Sequence, residues 1–267
     1  MKIGISTANF YPDINTEDVL GIYREKGFDT VETFLNTFSE MEEDYAKRLR
    51  ERCDELGIVV NSIHVMSNVM EPSLFDRQKR RRDDFVKIFK SSVKAAKILG
   101  TDIYTFHGPN IWMGDQFPMS HIADCYDRII YEGLAEGVHV AQENVAYQAA
   151  GNPDWLRRLV EKVRFEMKFT FDIKQARRIG RDPEEFFDIM GKNIINVHLN
   201  DNDENNVCLL PGRGKQDFSY IYRRLEKLDY KGNGIIEVYR DNFKDENDLK
   251  NARDYLEGIK NDSKRNG

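Results

Sequence analysis

The 267-residue chain carries 40 Lys and Arg against 46 Asp and Glu, a formal net charge of −6. That balance argues against a general nucleic-acid binder, which presents a basic face, and no apolar stretch approaches the ~18 residues of a membrane span. The three cysteines, Cys53, Cys125 and Cys208, are odd in number and form no CxxC pair, a usage that fits a reducing, cytoplasmic setting better than a disulfide framework.

The N-terminal MKIGISTANF runs straight into a strand and has no signal-peptide apolar region. Strand candidates follow at 2–7 (KIGIST), 30–34 (TVETF), 58–65 (IVVNSIHV), 102–108 (DIYTFHG), 138–145 (VHVAQENV), 168–173 (KFTFDI), 195–201 (INVHLND) and 234–239 (GIIEVY). A helix-compatible stretch separates each from the next, and such alternation implies βαβ units and a parallel sheet. Several junctions repeat one device. Gly27, Gly57, Gly100 and Gly137 each stand between a helix end and a strand, where glycine can take the left-handed conformation that stops a helix. Between the third and fourth strands, Phe85, Ile88, Phe89, Val93, Ala96 and Leu99 recur at helical spacing, as do Leu249, Ala252, Tyr255, Leu256 and Ile259 near the end. RQKRRRDD (77–84) has counter-charges in Asp76, Asp83 and Asp84 and reads as a solvated helix start. No linker or composition break interrupts the pattern. One (β/α)8 TIM-barrel domain over 1–267 is expected, a fold of about 250 residues, with a polar tail from about 260.

Glu143, Asp172, His198 and Glu237 each lie at or near the end of one of four successive strand candidates. Parallel strands joined by helices place those ends on one face, where barrels of this kind build active sites. Three carboxylates and one imidazole suit a hard or borderline divalent cation, so one divalent ion per chain is expected. Mn²⁺ is the first choice, with Mg²⁺, Co²⁺ and Zn²⁺ as alternatives. The competing reading is helix caps and structural ion pairs. His64 and His107 close the third and fourth strands and would bind substrate hydroxyls, or be hydrogen-bonded at the rim. Trp112 and Phe117 follow in a loop without periodicity and could line an apolar wall over the substrate. Arg213 in PGRG is the best phosphate candidate, because glycine-flanked backbone can approach an anion closely, although a plain loop arginine is the simpler reading. Lys174 reads as an ordinary first-turn lysine, Cys208 as a loop residue.

The pieces ENV (143–145), DIKQA (172–176), HLNDND (198–203), PGRG (211–214) and IIEVY (235–239), in this order, resemble the xylose isomerase-like TIM barrels. That superfamily holds sugar and sugar-phosphate isomerases, ketose 3-epimerases, inosose dehydratases and AP endonucleases. The resemblance implies that the Glu, Asp, His and Glu metal ligands of the epimerase-like members fall on Glu143, Asp172, His198 and Glu237. Three departures stand out. Gln175 replaces a common histidine and is placed on the substrate side; Cys208 stands near where another histidine is common; Arg213 replaces the glutamate of PGEG. The missing histidines disfavour the three-zinc cluster of an AP endonuclease. No GxSxG, GxxxxGK[ST] or HExxH motif occurs.

The expected function is therefore a divalent-metal-dependent sugar or sugar-phosphate isomerase or epimerase, working through a metal-bound enediolate with Glu143 and Glu237 as acid and base. A polyol-ketone lyase of the inosose dehydratase kind is the alternative, and a hydrolase or a non-catalytic carbohydrate-binding relative comes after it. The expected partner is a small sugar, with no nucleic acid and no membrane, in a possible homo-oligomer.

Overall fold

The computed structural model describes the backbone of residues 1–65 and 67–265, and the side chains of these residues except 67–68 and 262–265. In chain order the elements are β1 (Ile3–Ser6), α1 (Thr16–Glu25), β2 (Thr30–Leu35), α2 (Glu43–Leu56), β3 (Val59–Val65), α3 (Ser67–Met70), α4 (Lys79–Leu99) and β4 (Ile103–Phe106). There follow α5 (Ile111–Gln116), α6 (Met119–Ala135), β5 (His139–Glu143), α7 (Pro153–Val160), β6 (Lys168–Asp172), α8 (Ile173–Arg178), α9 (Pro183–Met190), β7 (Ile194–Leu199), α10 (Phe218–Lys227), β8 (Gly234–Ile236) and α11 (Glu246–Arg265). The strands pair in sequence order and all in parallel, and β1 closes on β8 to complete the barrel. Every expected strand is present. The last is half its expected length, so Glu237 falls just beyond β8, where its N–H still donates to Leu199 O at 3.3 Å.

Closure follows from alternation along each strand. On β7, Val197 and Leu199 join the apolar layer against the helices, while Asn196 and His198 lie on the other face, all four fully buried. A strand carries two environments because successive side chains point to opposite faces. Two helix-ending glycines do what the sequence suggests. Gly57 after α2 (φ 61°) and Gly100 after α4 (φ 79°) are left-handed C-caps.

Three local expectations change. The stretch holding Trp112 is not a loop but α5, which is only six residues long and therefore too short to show a period. It packs closely because Gly114 lacks a side chain: a Cβ there would lie 2.7 Å from that of Ala149. The polar stretch from Lys260 continues α11 through Arg265, and Asn266 and Gly267 lie outside the described residues. Lys174 is buried, as described below. The basic run opens α4, and two of its charges are locally answered: Lys79 meets Asp83 at 2.6 Å and Arg81 meets Asp76 at 3.4 Å. The three cysteines are free and buried. Among the described residues no helix is long and apolar enough to cross a membrane.

Candidate metal centre and active site

Parallel pairing sets Asp172 on β6 directly beside His198 on β7, and His198 beside Ile235 on β8. Glu143 comes from the end of β5 and Glu237 from just after β8. Ligating atoms of Glu143, Asp172, His198 and Glu237 all lie within 4.8 Å of one another, and all four residues are buried. His198 Nδ1 is at the centre: 3.2 Å from Glu237 Oε2, 3.6 Å from Glu143 Oε1 and 3.7 Å from Asp172 Oδ2. His198 Nδ1 is buried without a hydrogen-bond partner, while Asp172 Oδ2 meets Lys174 Nζ at 3.1 Å and Glu143 Oε2 meets His107 Nε2 at 3.0 Å. Burying a polar atom unpaired is costly, so an orphaned imidazole nitrogen ringed by three carboxylates fits a cation. The donor set, three carboxylate groups and one imidazole, is also what a hard or borderline divalent ion takes.

The other ring nitrogen of His198 explains its orientation. Nε2 lies 3.1 Å from Glu32 Oε1 and 3.2 Å from Oε2, so Nε2–H donates downward and leaves the Nδ1 lone pair facing the cluster. Glu32 was not foreseen as a site residue. It sits in the middle of β2, fully buried, and Oε2 accepts from Ser62 Oγ (2.7 Å), Thr105 Oγ1 (2.9 Å) and Asn196 Nδ2 (3.0 Å). The barrel floor is thus a polar layer in place of the usual branched apolar one. Burial opposes the Glu32 charge, yet His198 and His64 hold its carboxyl well below the ordinary range. The available signal was a single acid inside the apolar run TVETFL, on the axis-facing parity.

Electrostatics follow the same pattern at the clustered carboxylates. Burial works against their charge, but His107 and His198 keep Glu143 ionised, and His198 and Lys174 do so for Glu237; both lie well below the usual carboxylate range. Burial disfavours a charged His198, but Glu237, Glu32, Asp172 and Glu143 outweigh it and raise the imidazole well above its ordinary value. A divalent ion at Nδ1 would supply that positive charge instead.

His64 and His107 face each other, Nε2 to Nε2 at 2.9 Å. Burial opposes charge on His64, but Glu237 and Glu32 push it up to about 10, whereas burial lowers His107. His107 Nε2 is also 3.0 Å from Glu143 Oε2. Ligating atoms of His64, His107 and Glu143 form a second group within 4.8 Å, sharing Glu143 with the first. Glu71, also not foreseen, holds this corner: its Oε2 accepts the N–H groups of His107 (2.6 Å) and Gly108 (3.0 Å). Burial pushes the Glu71 carboxyl up to about 8.

The remaining sequence candidates lie elsewhere. Gln175 is buried, and its Oε1 accepts the Ala146 N–H at 3.1 Å, bracing the segment after β5. Trp112 opens α5, 48% exposed, edge-on to Phe117. Arg213 is ion-paired with Asp248 of α11. The PGRG backbone does hold an anion, but an internal one. Asp201 accepts from the N–H groups of Gly212 and Gly214 (both 2.9 Å), and from those of Asn202 and Gln216 (both 2.8 Å). Cys208 donates to Asn242 Oδ1 at 3.3 Å. Lys174, read from sequence as an ordinary first-turn lysine, is 2% exposed and inside the cluster. The close return of β6 into α8 forces its side chain inward, a fact invisible in residue order.

Residues 20–260 match the family described as Xylose isomerase-like TIM barrel, and the chain belongs to it. Solved structures similar to it include a D-tagatose 3-epimerase-like protein, 22% identical, covering 98% of this chain and 99% of that one with a TM-score of 0.80. A D-psicose 3-epimerase from Clostridium cellulolyticum H10 is 14% identical over 97% and 99%, with a TM-score of 0.79. An L-ribulose 3-epimerase is 17% identical over 100% and 97%, with a TM-score of 0.78. At these identities the likeness establishes the fold. No curated protein matches the chain.

Proposed function

We propose that the chain, one barrel domain throughout, is a divalent-metal-dependent isomerase or epimerase of a ketose sugar, with Glu143 and Glu237 moving the proton. The observation that carries this reading is the convergence of Glu143, Asp172, His198 and Glu237 within 4.8 Å, with the unpartnered His198 Nδ1 turned to the shared space. Mn²⁺ suits three carboxylates and one imidazole better than a thiolate-seeking ion would. Held by these four residues, the ion would polarise a ketose carbonyl and stabilise the negative charge that develops on it.

The chain's own groups supply the rest. Glu143 ends β5 and Glu237 follows β8, strands that lie on either side of β7 in the barrel order, with oxygens 3.6 and 3.2 Å from His198 Nδ1. Placed so, one takes the proton beside the carbonyl and the other returns it. Return on the opposite face epimerises; return to the neighbouring carbon isomerises. His64 and His107, paired above the same space, would hold ketose hydroxyls. The ketose class is supported by the epimerase names of the similar structures.

The test is a ketose panel incubated with Mn²⁺-loaded protein in D₂O. Deuterium should enter at the carbon next to the carbonyl, and Glu237→Gln should lose more than the ~10²-fold typical of one general acid or base, because a ligand is weakened as well. Product formed without either solvent exchange or internal C–H transfer would overturn the reading.

A further inference from the structure

Lys174 has no part in the proton transfer just described, and its placement is unusual for an ammonium. Its side chain is 3% exposed, with Nζ 2.8 Å from Glu237 Oε2 and 3.1 Å from Asp172 Oδ2. These are the same two oxygens that face His198 Nδ1. The Lys174 backbone N–H donates to the other Asp172 oxygen at 2.7 Å, so both ends of the residue grip Asp172. The Tyr239 ring covers the ammonium, its centroid 5.2 Å from Nζ, and Arg178 lies 5.6 Å from that same ring.

A buried ammonium is expensive unless it is paired. Here Glu32, Glu143, Asp172 and Glu237 crowd one end of the barrel, and their mutual repulsion would splay them. One positive charge bridging Asp172 and Glu237 offsets that repulsion where it touches the converged oxygens. A divalent ion entering beside His198 must share those oxygens with Lys174 and is repelled by it at short range.

We infer that Lys174 is a resident counter-cation of the metal site. It holds Asp172 and Glu237 converged when no ion is bound, and it loosens the hold on the ion when one is, chiefly at Glu237. Lys174 is thus a positioning residue that keeps Glu237 both a ligand and a mobile proton carrier. The inference rests on the metal reading proposed above.

Metal-stripped wild type, Lys174→Met and Lys174→Gln proteins are compared by thermal unfolding and by calorimetric titration with Mn²⁺. Both variants should melt lower than wild type without metal. Both should then bind Mn²⁺ about tenfold tighter or more, as expected when a like charge is removed at short range, with a larger Mn²⁺-induced rise in Tm. Gln keeps hydrogen-bonding capacity without charge, so its agreement with Met assigns the effect to charge; it also decides the matter if Met does not fold. Equal or weaker Mn²⁺ binding by Lys174→Gln would overturn the inference while leaving the metal site standing. A wild type that binds no Mn²⁺ would remove the metal reading itself, and the inference with it.

Discussion

Glu32 lies beneath His198, with both carboxylate oxygens 3.1–3.2 Å from Nε2. The acid therefore selects the ring nitrogen that faces the cluster, and it does so from a strand far from the four clustered residues in sequence. Its own charge is held by Ser62, Thr105 and Asn196, which makes the barrel floor a structural part of the proposed metal site.

Glu32→Gln should weaken Mn²⁺ binding by about 10–100-fold, the usual cost of losing the partner behind a histidine ligand. The amide can still fill the space, so folding should survive. Glu32→Ala should lower stability by about 3–5 kcal/mol, because it leaves a buried partner unpaired. Isothermal titration and urea unfolding measure the two effects.

Loss of a ligand should abolish metal uptake. Asp172→Ala and His198→Ala proteins should both carry background metal by elemental analysis, against one equivalent of Mn²⁺ in wild type. His64→Ala should retain that equivalent, since His64 stands outside the four. A second equivalent in wild type that disappears with His64→Ala would place another ion at the group formed with His107 and Glu143.

Asp201 accepts four backbone N–H groups of its own and the PGRG segment. Asp201→Ala should cost about 2–4 kcal/mol, since hydrogen bonds to a charged group contribute roughly 1.5–3 kcal/mol each and water will replace some of them. Urea unfolding gives the magnitude. Protection of the Gly212 and Gly214 amides from hydrogen exchange should fall with it.

Abasic DNA should survive this protein. Gln175 is engaged with the Ala146 N–H and Cys208 with Asn242, so neither position supplies the extra histidine of a three-zinc centre. A net charge of −6 also gives little help along a phosphate backbone. A duplex with one abasic site, incubated with zinc-loaded protein at low salt, should remain intact. Multiple-turnover nicking lost in His198→Ala would reverse this expectation.

Residue order alone determined the barrel and the four-residue cluster, and the reason is periodicity. Apolar runs separated by helical stretches admit few parallel arrangements, and Glu143, Asp172, His198 and Glu237 mark strand ends that such an arrangement must bring to one face. Glu32, Glu71 and Lys174 were different. Each is an ionisable residue whose local sequence is ordinary, in mid-strand, in the short 3-10 turn after α3 or in a first helical turn. Only closure of the barrel turned Glu32 and Lys174 onto the cluster and Glu71 onto the amides of His107 and Gly108. Arg213 shows the converse: glycine-flanked in sequence, it is drawn outward to Asp248, while the backbone around it is occupied by Asp201. Local pattern decides where a strand ends. Which buried charge answers which other depends on distances across the barrel, and these exist only once all eight strands have closed.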